Sequence, residues 1–72
     1  MPALPVLSGK EVISILERLG WYVVRQNGSH IVMNHPDSIF TISVPNHKEI
    51  ARGTLRSIIR LSGVPVDVFI SR

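Results

Sequence analysis

Cysteine is absent from this 72-residue sequence, so neither a disulfide framework nor a thiolate metal site can stabilise it or act in it. A reducing, cytoplasmic setting is expected. Long apolar runs are missing too. None nears the roughly 20 residues of a membrane span, and no basic segment followed by an apolar core opens the chain, so neither a membrane segment nor a leader is predicted. Paired carboxylates, a glycine-rich phosphate loop and a nucleophile beside a base at a recognised spacing are all lacking, which removes the commonest hydrolase and nucleotide-binding layouts. There is no repeat, low-complexity tract or linker. One domain over residues 1–72 is expected, with "MPALPVL" at 1–7 as a loose, proline-punctuated arm. A chain this short buries only about 60% of its unfolded surface, which limits it to a thin, two-layer core.

What the sequence has is a mild positive charge, +3 with a pI near 10.2. This makes a polyanion a plausible partner. Three of the cations, Arg52, Arg56 and Arg60, recur every four residues, the spacing of a ridge along one helix face. Such a ridge serves either as a solvated helix face or as a row of phosphate contacts.

Helix signals frame both ends of the chain. In "SGKEVISILERLG", Ser8 and Glu11 form a capping box and Gly20 is the stop, with Val12, Ile13, Leu16 and Leu19 on one stripe. "GTLRSIIRLSG" gives a second helix with Leu55, Ile58 and Ile59 facing in and Gly63 closing it. Between them, "WYVVRQ", "HIVMN" and "SIFTISV" are rich in β-branched and aromatic residues and are separated by turn chemistry, Asn27-Gly28 and then "HPDS". Three antiparallel strands follow, giving the order α-β-β-β-α: a two-layer α+β domain with its helices on one face of the sheet. The tail after Gly63 is expected to make a short helical turn or extended strip anchored by Phe69.

With Asn27 and Gly28 at the centre of the first turn, Arg25 faces His30, Val24 faces Ile31 and Tyr22 faces Met33. A Pro36-Asp37 turn sets Met33 opposite Phe40 and Ile31 opposite Ile42. Alternation then sends Tyr22, Val24, Ile31, Met33, Phe40, Ile42 and Val44 to the core. Trp21, Val23, Arg25, His30, Val32, Asn34, Ile39, Thr41 and Ser43 take the open face. Trp21 and Tyr22 could stack on bases, or Trp21 could be a core lid.

His30, just past the turn, is either an incidental surface histidine or a proton-transfer group. Imidazole exchanges protons near neutral pH, Arg25 offers a phosphate two donors, and Gly28 and Ser29 add an amide and a hydroxyl at the same turn. That set suits a phosphodiester better than an acyl or sugar substrate. His30, His35 and His47 do not form a metal set, because His30 and His35 fall on opposite faces and no carboxylate cluster joins them.

The segments "LERLGW", "VRQNGSHIVM", "HPD", "VPNHKEI" and "GTLRSIIR" together resemble the HicA toxin family, also called the YcfA-like family, over nearly the whole chain. The resemblance implies a double-stranded-RNA-binding-like fold and an RNA-cleaving toxin, an mRNA interferase of a type II toxin-antitoxin system, held in check by a HicB-like antitoxin. The family's catalytic histidine falls on His30 of the G-S-H motif. The resulting expectation is a metal-independent endoribonuclease with no small-molecule cofactor. His30 acts as general acid or base, Arg25, Ser29 and the Gly28 amide position or stabilise charge, and Arg52, Arg56 and Arg60 hold RNA backbone. An apolar open face around Trp21, Val23, Val32 and Ile39 is expected to be covered by the antitoxin. The alternative is a non-catalytic RNA-binding or protein-interaction module of the same fold.

Overall fold

The computed structural model describes residues 4–70. In chain order the elements are α1 (Gly9–Arg18), β1 (Tyr22–Asn27), β2 (His30–Asn34), β3 (Ile42–Pro45), α2 (Arg52–Ser62) and a single-turn α3 (Asp67–Ile70). The strands form one antiparallel sheet in the order β1-β2-β3. Met33, Ile42 and Val44 from one sheet face meet Val12, Ile15 and Leu16 of α1, Leu55, Ile58 and Ile59 of α2, and Phe69 of α3 in a single core cluster. The helices therefore share one layer and the other sheet face stays open, the predicted two-layer α+β architecture.

Local chemistry explains both long helices. At the start of α1 the Glu11 amide donates to Ser8 Oγ at 3.1 Å, and the Ser8 amide donates to Glu11 Oε1 at 3.0 Å, the reciprocal capping box. At its end the Trp21 amide reaches back to the Leu16 carbonyl (3.0 Å) and the Gly20 amide to that of Glu17 (3.1 Å). Gly20 at φ +99° makes this a Schellman ending. Gly63, at φ +74°, closes α2 in the same left-handed region. The first turn of α2 includes Arg52.

The expected loose arm is docked at its end: Leu7 is fully buried and its carbonyl accepts the Ile50 amide at 2.8 Å. Residues 1–3 of that arm lie outside the described residues, as do 71–72. Phe69 anchors the tail as expected, fully buried in α3.

The hairpin register differs from the predicted one. Asn27 pairs with His30, Gln26 with Ile31 and Arg25 with Val32, so the two loop residues are Gly28 and Ser29. Only Gly28 has positive φ, +64°, the pattern of a type II′ turn with glycine first, rather than an Asn-Gly turn with both residues left-handed. The slip is by two, so parity survives near the turn and Arg25 and His30 keep the open face. A bulge at Val24 then shifts the pairing by one, giving Val23 opposite Met33 and Tyr22 opposite Asn34. Beyond the bulge every side chain changes face. Trp21, expected outside, is buried at 4% exposure, and Tyr22, expected inside, is 48% exposed. The core-lid reading of Trp21 is the correct one. Val24, expected in the core, is exposed as well.

Between β2 and β3 the pairing is Met33 with Ile42 and Ile31 with Val44, again two residues from the predicted register with parity kept. The connecting loop is therefore longer than a tight Pro-Asp turn. Phe40, expected in the core, is exposed, and Ile39 projects 94% exposed from the loop rather than from the sheet. With Trp21 inside, Val32 only 7% exposed and Ile39 off the strand, the open face does not present the expected apolar set; the exposed apolar side chains of this region are instead Tyr22, Val23 and Val24 of β1 and Ile39 and Phe40 of the β2–β3 loop.

His35 holds this loop in place. The Asp37 amide donates to its Nδ1 at 3.0 Å, so the proton sits on Nε2, which donates to the Leu19 carbonyl at the end of α1, also at 3.0 Å. The ring packs tilted against Trp21 with centroids 5.3 Å apart. His35→Ala removes both bonds and the ring contact. Melting should show a loss of about 2 kcal/mol, or roughly 8–16 °C in Tm for a domain of this size.

Candidate functional site

The sheet end that carries the Gly28-Ser29 turn gathers most of the candidate residues. His30 opens β2 as an exposed side chain on the open face, with Asn27 of β1 on one side and Pro45 of β3 on the other. Arg25 is not opposite His30, as expected, but opposite Val32. It is thus a diagonal neighbour of His30 on the same face, within reach of a long side chain.

The turn beneath His30 is braced at two points. Gln26 Nε2 donates to the Gly28 carbonyl at 3.2 Å, and the Asn46 amide donates to the Ser29 carbonyl at 2.6 Å. Both carbonyls are engaged and the Ser29 and Arg25 side chains are exposed. A Cβ at Gly28 would meet nothing within 4 Å. Glycine is required there by φ alone, and the space over the turn is open to a ligand. The set can offer a substrate an imidazole, a guanidinium and a hydroxyl on one exposed surface.

Arg52, Arg56 and Arg60 are all exposed on α2, as the spacing predicts. At about 100° per residue the ridge lies roughly 65° to 145° around the helix from the direction of its buried residues Leu55, Ile58 and Ile59. It runs along the flank and outer side of the helical layer, not over the open sheet face. The structure thus brings Arg25, Gly28, Ser29 and His30 together and keeps the ridge apart from them.

Two neighbours of His30, Asn27 and Pro45, went unrecognised in the sequence. The signal for Asn27 was present: reading Gly28-Ser29 as a Gly-first turn sets Asn27 beside His30. Among the described residues, no three His, Cys, Asp or Glu side chains are grouped to hold a metal ion. No helix in the described residues is long and apolar enough to cross a membrane.

An α-β-β-β-α domain with a three-stranded antiparallel open sheet, its helices on one face, belongs to the double-stranded-RNA-binding type of fold. Residues 9–64 match the family model described as HicA toxin of bacterial toxin-antitoxin. The chain belongs to the HicA toxin family. No curated protein matches the sequence.

Proposed function

We propose that this protein is the RNA-cleaving member of a type II toxin-antitoxin pair, a metal-independent endoribonuclease acting on mRNA in the cytoplasm. The observation that carries the reading is His30, exposed on the open sheet face over a braced Gly-Ser turn, inside the segment that matches the family. In the reaction the ribose 2′-hydroxyl oxygen attacks the adjacent phosphorus and the bond from phosphorus to the 5′-oxygen breaks. His30 removes the proton from the 2′-hydroxyl or delivers one to the departing 5′-oxygen. Arg25 and the Ser29 hydroxyl, with the Gly28 amide, hold the phosphate and its developing charge. The arginine ridge of α2 grips RNA backbone further away. A HicB-like antitoxin is the partner that holds the activity in check.

The chemistry fixes the products: fragments ending in a 2′,3′-cyclic phosphate and beginning with a 5′-hydroxyl. Incubating the purified protein with mRNA in EDTA should yield those ends, and a 2′-deoxy substitution at the cleaved nucleotide should block the cut. Activity that disappears with chelator and returns with a divalent ion would overturn the metal-independent mechanism. RNA binding without any cut would favour the non-catalytic module.

A further inference from the structure

A cleft of about 270 Å³ lies where the start of α1 meets the segment leaving β3, lined by Ser8, Lys10, Asn46, His47 and Lys48. We infer that this cleft is a phosphate subsite for RNA, in which Lys10 and Lys48 grip a backbone phosphate next to the one cleaved at His30. The inference rests on the reading of the protein as an RNA-cleaving enzyme and adds residues that the sequence did not single out.

Three observations support it. Position comes first: the cleft begins one residue beyond the cross-strand neighbour of His30. Pro45 is opposite His30, and the next amide, that of Asn46, is bonded to the Ser29 carbonyl of the turn. From Pro45 to His47 is at most about 7 Å of extended chain, so a strand crossing His30 meets the cleft with a neighbouring phosphate.

Rigidity is the second. The segment is tied to the start of α1 on both sides of Ser8, since the Gly9 amide donates to the His47 carbonyl at 2.8 Å and the Ile50 amide to the Leu7 carbonyl at 2.8 Å. Two lysines far apart in the chain are thereby fixed at one mouth.

Charge is the third. The lining holds two ammonium groups and an imidazole, and no acid among the described residues. Glu49 lines a separate cleft with Arg52. Glu11 lines another with Arg18, its carboxylate accepting the Ser8 amide at 3.0 Å at the edge of the lysine cleft. The size also fits: ligand pockets that enclose a drug-sized molecule run to about 300–1,000 Å³, whereas this one suits a phosphate and its sugar.

The test places Lys10→Ala and Lys48→Ala together in two backgrounds. In a His30→Ala background, which separates binding from cleavage, affinity for a short single-stranded RNA of mixed sequence should fall about tenfold, the scale of a lost charge-assisted contact. The slope of log affinity against log salt should become shallower by about 0.7, one phosphate on a single strand. Lys48→Arg, which keeps the charge, should retain most of the binding, and thermal melts should not move. With His30 present, KM should rise by a similar factor while the single-turnover rate at saturating RNA holds. Cleavage with both KM and slope unmoved would overturn the subsite and leave the enzyme reading intact. A lysine-dependent slope without any cleavage would keep the subsite and overturn the catalytic reading. No RNA binding at all would overturn both.

Discussion

His30→Ala should lower the rate of RNA cleavage by about 10²–10⁴-fold, the usual contribution of a positioned proton-transfer group, and abolish growth inhibition on expression. Its thermal melt should stay within roughly 4 °C of the parent protein. The first expectation follows from His30 being, among the described residues, the only imidazole on the open face of the sheet. The second follows from its exposure, since substitutions at surface positions away from caps, cores and networks usually change stability by no more than about 0.5 kcal/mol. The turn is shaped by Gly28 and braced through Gln26 and Asn46, none of which uses the imidazole. A cleavage assay beside a melt separates the cases. A variant that no longer folds would make His30 a structural residue, and one that folds and still cuts at the parent rate would move the proton transfer to another group.

His35 provides the internal contrast. Five residues away, it has both ring nitrogens bonded to backbone and its face against Trp21. The same residue type here serves as a staple between the end of α1 and the β2–β3 loop. Its substitution should lower Tm and leave the chemistry of the surviving folded protein intact, the inverse of the His30 result.

The two histidines also show what local sequence can and cannot reveal. Helix ends were legible because capping is local: Ser8 and Glu11 are three residues apart, and Gly20 and Gly63 each take a conformation that other residues resist. The hairpin was legible as a hairpin but not in its register, because Asn-Gly-Ser supports two turns. An even slip between them keeps every side chain on its face, which is why His30 and Arg25 remained on the open side. The bulge at Val24 was not legible. Its cause lies outside the strand, where Trp21 packs in the core while its amide closes α1 and its ring meets His35. The lysine cleft was hidden for the same reason. Position 10 and positions 47–48 come together only when α1 is laid against the end of β3.

Gly9→Ala should be the most disruptive single methyl that can be added to this part of the protein, with a loss of about 3 kcal/mol and a fall in Tm of roughly 12–24 °C. Gly9 is buried at the first position of α1, where its amide bonds the His47 carbonyl at 2.8 Å. A Cβ there would collide with the Pro45 carbonyl oxygen and stand 3.0 Å from Asn46 Cα and 3.2 Å from the Pro45 carbonyl carbon. All three atoms are backbone, so no rotamer change relieves the clash, and α1 must lift from the end of β3. Gly53→Ala is the control: a Cβ at that position in α2 meets nothing within 4 Å, and replacing glycine in a helix should be neutral or stabilising by up to about 1 kcal/mol. Because Gly9 joins α1 to the segment that carries His47 and Lys48, any Gly9→Ala protein that remains folded should also bind RNA less tightly. A Gly9→Ala melt equal to that of the parent would mean that α1 does not approach β3 this closely, and both the helix placement and the cleft that depends on it would have to be redrawn.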